Sequence, residues 1–186
     1  MPFAHIEMVN LDYAASTPLR LSAIDAQREY DNGPLAGVNP NSLHSLGRTA
    51  AQKLEGCRRS LAQTLGRSVR PSEVIFTGGG TEANAMALLG IAEGARQSNK
   101  HRTRVLISAI EHDSMLDNIP LLHAAGFTTD LILPNSHGVI EAKTLASMMD
   151  DSVALVSVML ANNETGAIQP IADLAACAHE HGAYFH

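Results

Sequence analysis

The stretch from Glu73 to Asn84 contains three consecutive glycines and has the residue types of an anion-binding turn. An apolar run over 74–76 precedes the glycines and an alanine-rich segment of good helix formers follows them, which predicts strand, turn and helix. Backbone N–H groups at a helix start lack partners in the helix, and the helix dipole favours negative charge there. Glycine allows close approach of an anion, and Thr81 can cap the helix or offer its hydroxyl to a phosphate oxygen. A tight capped turn without a ligand has the same signature, so this stretch alone leaves both interpretations open.

Two further polar clusters follow predicted strands. His112 comes after the run 104–108, and Asn163 lies in the loop after the apolar run 153–159. Ligands of parallel sheets bind outside the carboxyl ends of the strands, so three clusters at this edge predict a site. Histidine changes protonation near neutral pH and has a flat ring that can stack on a ligand. Each cluster also has a plainer interpretation, since the chain has nine histidines and asparagines are common in turns.

The elements that must position these clusters alternate between strands and helices. Strands are predicted over 74–76, 104–108, 129–133, 153–159 and 183–185, and helices over 17–30, 43–65, 81–96, 111–125, 142–149 and 171–181. The strands do not alternate apolar and polar residues, which is typical of a parallel sheet covered by helices on both faces. The predicted fold class is therefore α/β, with a mostly parallel sheet flanked by helices.

Composition excludes several classes of function. The 186 residues are 45% hydrophobic and 17% charged, as in ordinary globular proteins. A net charge of −6 without a basic run gives no electrostatic support for nucleic-acid binding. The apolar runs are too short to span a bilayer, and the N-terminus lacks the features of a signal peptide, so we expect no membrane association and a cytoplasmic location.

Neither the cysteines nor the histidines have the spacing of a metal site. Cys57 and Cys177 lack a Cys-x-x-Cys pattern and are expected to be buried, reduced thiols. Cys57 falls on an apolar stripe of the helix predicted over 43–65, which favours a core position. We expect no metal ligands in this chain.

Five ordered segments together resemble the motifs of cysteine desulfurases. These are pyridoxal-phosphate enzymes of the class V aminotransferase group, with the fold-type I architecture. The segments are 11–18, 39–48, 76–84, 110–112 and 161–166. The resemblance runs from about residue 10 to the end of the sequence. The last two segments favour the desulfurase branch over the aminotransferase and kynureninase relatives.

The resemblance implies the cofactor pyridoxal 5'-phosphate and a role for four residues. Gly80 and Thr81 would hold its phosphate, and His112 would stack on the pyridine ring and act as the catalytic proton shuttle. Asn163 would hydrogen-bond the phenolic oxygen of the ring. The family usually has Ser and Ala where this chain has Gly78 and Gly80, and a second Asn where it has Ala85. We therefore expect weaker phosphate anchoring, but not loss of the site.

The resemblance also implies that the chain is the N-terminal half of such an enzyme. Residues 1–16 would be an extended arm, and 17–186 a transferase-like large domain truncated at its C-terminus. The reaction would remove sulfur from L-cysteine, giving L-alanine and an enzyme persulfide for iron–sulfur cluster or thio-cofactor synthesis. A sulfur acceptor or scaffold protein would be a partner, and the complete protein a homodimer. Because the family's Schiff-base lysine and nucleophilic cysteine have no counterpart here, we expect the chain alone to be inactive.

The sequence leaves two other functions open. The chain could be a non-catalytic partner of a full-length homologue. It could also be a fragment of a different class V enzyme, either an aminotransferase or a selenocysteine lyase.

Overall fold

The computed structural model describes residues 9–186. Contacts divide the chain into two compact units, Met1–Phe76 and Thr77–His186. The predicted arm over 1–16 falls partly outside the described residues. Its described part, 9–16, is exposed and contains turns without a helix or strand. The division of the chain at residue 17 stays a prediction.

The first unit contains two long helices among its described residues. Helix α1 spans Leu21–Asp31, α2 spans Ser45–Leu65, and a single 3-10 turn covers Pro71–Glu73. The predicted apolar stripe of α2 is largely unburied, and the prediction of a buried Cys57 is wrong. Ala50, Leu54 and Cys57 of the stripe line an open groove of about 640 Å³ with residues of α1 and of the loop after it. A periodic apolar face identifies the helix but does not show that another element covers it.

The strand predicted over 74–76 is also wrong. The backbone of Val74 is extended, but the segment pairs with no strand among residues 9–186, and Ile75 is 65% exposed. A β-branched run becomes a strand only where another backbone supplies hydrogen-bond partners. Here the guanidinium of Arg58 donates to the carbonyl of Val74, and its carbon lies 4.9 Å from the ring centroid of Phe76.

The second unit is a parallel sheet with helices on both faces, which confirms the predicted α/β class. Its strands are β1 (Arg104–Ser108), β2 (Thr128–Ile132), β3 (Val153–Ser157) and β4 (Tyr184–Phe185). Its helices are α3 (Gly80–Ser98), α4 (Asp113–Leu116), α5 (Ile119–Ala124), α6 (Ala142–Ala146) and α7 (Ile171–Glu180). The strand order is β2-β1-β3-β4, and every neighbouring pair is parallel. No helix within 9–186 combines the length and apolar character needed to cross a membrane.

The core of this unit lies on both sides of β1 and β3. Val105 and Ile107 pack in a cluster with Leu88 of α3, whereas Leu106 packs in a second cluster with Leu174 of α7. Successive strand residues point to opposite faces, so a strand covered on both faces must be apolar throughout. This requirement is why β1 and β3 were recognisable in the sequence.

The helix predicted over 111–125 is interrupted between α4 and α5. Pro120 has no backbone N–H, and its ring would clash with the carbonyl four residues earlier in a continuous helix. The chain restarts at Asn118, whose buried side chain donates to the carbonyl of Ser114 at 2.7 Å. The break makes α4 a single turn, and His112 is the residue that caps its start.

Candidate active site

His112 and Asn163 lie on the same pocket at the carboxyl edge of the sheet. The loops after β1 and β3, which are neighbouring strands, form this pocket of about 390 Å³. It is lined by Ile110, Glu111, His112, Asp113, Asn162, Asn163, Glu164 and Thr165. The structure therefore brings together two of the four residues to which the resemblance assigns a role.

Ser114 fixes the orientation and the tautomer of His112. The Nδ1 atom of His112 lies 3.0 Å from the backbone nitrogen of Ser114 and 2.9 Å from its hydroxyl oxygen. A backbone N–H can only donate, so Nδ1 must accept, and the neutral ring carries its proton on Nε2. The exposed imidazole is thus held by one edge while the proton-bearing nitrogen lies on the other.

Asn84 extends this hydrogen-bonded chain to the helix that begins at the glycine turn. Its side-chain amide donates to the hydroxyl of Ser114 at 2.8 Å. The hydroxyl can then direct its own hydrogen toward Nδ1 of His112. Because Asn84 sits one turn after Gly80 on α3, the glycine turn and the histidine are connected through two side chains.

Asn163 is exposed, whereas its neighbour Asn162 is only 9% exposed. The side-chain amide of Asn163 donates to Glu164 at 3.0 Å. The Oδ1 atom of Asn162 accepts from the backbone nitrogens of Glu164 and Thr165 at 3.0 and 2.8 Å, and from the Thr165 hydroxyl at 3.0 Å. Asn162 therefore builds the turn, and Asn163 is presented on its surface.

Gly80 and Thr81 occupy the first two positions of α3 and do not line the pocket. Gly79 is the N-cap, so the prediction that Thr81 caps the helix is wrong. A Cβ built on Gly79 or Gly80 would meet no atom within 4 Å, so the backbone at the start of this 19-residue helix is open. The nearby N–H of Gly78 donates to a carboxylate oxygen of Glu82 at 2.6 Å. The turn thus already holds an anionic group.

Four residues of this region were not identified as functional from the sequence. Glu111, Ser114, Asn84 and Asn162 all act through contacts with residues of another segment or of their own turn. The signal for Ser114 was its position two residues after a histidine at a helix start, where a capping bond is common. The signal for Asn162 was an Asx turn ahead of Gly166, which has a φ of +73°.

Two residues of the segment 39–48, which carries part of the resemblance, have local structural roles. Nδ1 of His44 accepts from the N–H of Gly47 and caps α2, and the guanidinium of Arg48 donates to the carbonyl of Leu43 at 2.5 Å. Within 9–186, His, Cys, Asp and Glu side chains form no group of three or more that could hold a metal ion. The pocket's chemistry is instead that of an imidazole with a fixed tautomer and a carboxamide, with open backbone N–H groups at a helix start nearby.

Comparison with known proteins places this chain in a family. The model of the family "Aminotransferase class-V" matches residues 9–186. An IscS-like cysteine desulfurase of Mycobacterium tuberculosis is 40% identical over 182 residues, which are 96% of this chain and 45% of that protein. A cysteine desulfurase IscS of Dictyoglomus turgidum is 35% identical, over 96% of this chain and 43% of that protein.

The chain also resembles solved structures in three dimensions. A structure of SspA in complex with cysteine is 30% identical and superposes with a TM-score of 0.82. The match covers 94% of this chain and 48% of the SspA chain. The chain thus spans somewhat less than half the length of the relatives that it matches.

Proposed function

The chain belongs to the aminotransferase class V family, and we propose that it provides the cofactor-binding N-terminal part of a cysteine desulfurase. The observation that carries the proposal is the convergence of His112 and Asn163 on one pocket, with α3 connected to His112 through Asn84 and Ser114. The overall reaction converts L-cysteine and an enzyme thiol into L-alanine and an enzyme persulfide. The sulfur passes to the thiol sulfur, and the two hydrogens of the thiol groups are divided between alanine and the persulfide.

The residues present fit pyridoxal 5'-phosphate. Open glycine backbone at the start of α3 suits a phosphate group, and the carboxylate of Glu82 at Gly78 indicates that this turn favours negative charge. A flat, exposed imidazole suits an aromatic ring, and a carboxamide suits its phenolic oxygen. When bound, the cofactor supplies an electron sink for carbon-centred negative charge.

Each residue then has a distinct task. The backbone of Gly80 and the hydroxyl of Thr81 bind the phosphate, and Asn163 orients the ring. His112 stacks on the ring, and its Nε2 holds or moves a proton while Ser114 keeps Nδ1 as an acceptor. A histidine suits this task because its protonation changes near neutral pH.

We propose L-cysteine as the substrate of the complete protein. Cysteine as substrate is supported by the names of the relatives and by the cysteine in the SspA complex. We further propose a homodimeric complete protein in the cytoplasm that passes its sulfur to an acceptor or scaffold protein. Iron–sulfur cluster assembly or thio-cofactor synthesis would use that sulfur.

Binding of pyridoxal 5'-phosphate to the 186-residue chain tests the site. We expect saturable binding by absorbance and equilibrium dialysis, weakened about tenfold in His112→Ala and in Asn163→Ala, about 1.4 kcal/mol each. Both side chains are exposed, so these variants should fold. Asn99→Ala, after the far end of α3, should bind as the unaltered chain does. Equal binding by all four proteins would contradict the assigned site.

An activity assay of the chain alone tests whether it contains all of the catalytic groups. None of the three lysines, Lys53, Lys100 and Lys143, lies in the motif that the resemblance assigns to the Schiff-base lysine. The purified chain with added cofactor and L-cysteine should therefore release neither alanine nor sulfide. Release of either product above a cofactor-only control would show that the chain contains all the catalytic groups.

A further inference from the structure

Glu111 and Asn162 each cross from one loop of the pocket to the other. Glu111 lies in the loop after β1, next to His112, and Asn162 lies in the loop after β3, next to Asn163. Each makes a hydrogen bond to the backbone of the opposite loop. The two residues joined by each bond lie 48 and 52 positions apart in the sequence, respectively.

The carboxylate of Glu111 ties the end of β1 to the continuation of β3. Its Oε1 accepts from the Ser108 hydroxyl at 2.7 Å and from the backbone N–H of Met159 at 2.6 Å. Strand β3 ends at Ser157, so the Met159 N–H lies beyond the sheet ladder. The carboxylate supplies the acceptor that this donor needs once the sheet has ended.

The two ends of the Asn162 side chain have different tasks. Its Oδ1 accepts from Glu164 and Thr165 and closes its own turn. Its Nδ2 donates to the carbonyl of Ile110 at 2.9 Å, across the pocket wall. A purely local turn would need only Oδ1.

We propose that Glu111 and Asn162 are positioning residues that set the separation between His112 and Asn163. The proposal rests on the function proposed above, in which those two neighbours contact the cofactor. The loop after β3 donates both hydrogen bonds, one from a backbone N–H and one from a side chain, and the loop after β1 accepts both. A shift of either loop along the sheet therefore breaks both contacts. A misplacement of about 1 Å can reduce reaction rates about a hundredfold. Hydrogen bonds that hold the two loops in register therefore affect function directly.

Asn162→Asp separates the two tasks of the asparagine. The carboxylate retains Oδ1 and the local turn, but places an oxygen instead of a donor against the Ile110 carbonyl. Asn135→Asp is the matched control, because Asn135 organises the loop after β2 in a similar way. Its Oδ1 accepts from the N–H groups of His137 and Val139, and its Nδ2 donates to Glu141 at 3.3 Å. Both substitutions add one negative charge.

Backbone NMR and amide hydrogen exchange test the two hydrogen bonds between the loops without any ligand. In Asn162→Asp, the amide signals of Ile110 to His112 should shift and Met159 should exchange at least tenfold faster. The amides of Glu164 and Thr165 should keep their protection. Signal changes confined to 162–166, as a local turn predicts, would overturn the inference. Asn135→Asp should leave all of these signals in place.

Binding of pyridoxal 5'-phosphate provides the functional readout. Asn162→Asp should weaken it about tenfold or more, since the partly buried carbonyl of Ile110 loses its donor, and Asn135→Asp should not. High salt should not restore the affinity, because salt screens an added charge but not a displaced loop. Restoration by salt would assign the effect to charge and overturn the inference. If the unaltered chain binds no cofactor, the proposed function fails, and the exchange experiment still decides the positioning role.

Comparison of an alanine and a glutamine variant tests the role of Glu111. Glu111→Ala should accelerate Met159 exchange at least tenfold, and Glu111→Gln should recover most of the protection because it keeps an acceptor oxygen. A glutamine variant that exchanges as fast as the alanine variant would show that acceptance from Met159 is not what Glu111 provides.

Discussion

At the scale of single residues, the candidate site depends on side chains that hold other side chains. His112 has no fixed orientation of its own, and Ser114 gives it one through two contacts to the same nitrogen. Asn84 in turn fixes the hydroxyl of Ser114. The chemistry assigned to His112 therefore depends on residues that touch no ligand, as is common where the geometry of a reactive group matters.

The contact between Asn84 and Ser114 should be measurable as a coupling energy. We expect Asn84→Ala and Ser114→Ala each to lower the free energy of unfolding by about 1 kcal/mol. In the double variant the loss should fall short of the sum by about 0.5 kcal/mol or more, because the shared hydrogen bond can be lost only once. Urea unfolding of the unaltered chain, the two single variants and the double variant completes this double-mutant cycle. Additive losses would show that the two side chains do not interact in solution.

The two thiols should differ strongly in reactivity. Cys57 is exposed, whereas Cys177 is buried, and burial and then the nearby Glu180 raise the pKa of the Cys177 thiol. The thiolate is the reactive form, so at pH 8 a thiol reagent should modify Cys57 at least about tenfold faster than Cys177. Mass spectrometry of Cys57→Ser and Cys177→Ser assigns each rate. Equal rates in the two variants would contradict the burial of Cys177.

The sign of the Cys177 shift also predicts an effect of pH on stability. A raised pKa in the folded state means that folding favours the protonated thiol. The resulting stability is fully present below the pKa of the unfolded thiol, about 8.5, and is lost as pH rises through the folded pKa. Cys177→Ala should show a smaller loss of unfolding free energy between pH 8 and pH 10 than the unaltered chain.

Single residues also show what the sequence could and could not predict. His112 and Asn163 were expected at one edge because each follows an apolar strand, and the sheet places them on one pocket. Glu111 and Asn162 were missed because their partners lie 48 and 52 positions away, and nothing local reveals such a pairing. Cys57 was assigned to a core because helical periodicity shows which residues share a face, but not what covers that face.

At the scale of elements, the predictions succeeded where burial on both faces dictates the residues. Strand β1 begins and ends where the sequence predicted, since each of its residues 105–108 is buried. The segment 74–76 is also apolar and β-branched, but it pairs with no strand among the described residues, so it forms none. Strand composition is thus necessary for a strand, whereas pairing is a property of the rest of the fold.

Arg102, in the loop before β1, joins β3 and the end of α7 at the opposite edge of the sheet. Its Nη1 donates to the carbonyl of Val153 at the start of β3, and its Nη2 donates to the carbonyl of His181 at the end of α7, at 2.6 and 2.7 Å. Arg102→Met keeps the apolar stem but removes both donors, and should lower the free energy of unfolding by about 2 kcal/mol. Arg59→Met, on the exposed side of α2, is the control and should change it by less than about 0.5 kcal/mol. Equal effects of the two substitutions would contradict the joining role.

At the scale of the whole chain, the apolar core is divided very unequally between the two units. The large side chains that are fully buried among residues 9–186, such as Leu88, Leu106 and Leu155, all belong to the unit Thr77–His186. Helix α1 buries none of its residues, and α2 buries only Gly47, Ala50 and Ala62. Stability derives mainly from apolar burial, so the two units should differ in resistance to opening.

Amide hydrogen exchange on the intact chain should resolve this difference. We expect the amides of β1 and β3 to exchange slowest, because they open only when the double-sided core unfolds. The amides of α2 should exchange about a hundredfold faster or more, since local opening exposes little additional apolar surface. Adding urea should bring the β1 and β3 rates closer to those of α2, because only global unfolding exposes a large area. Equal protection of α2 and β1 without urea would show that burial within each unit does not set its stability.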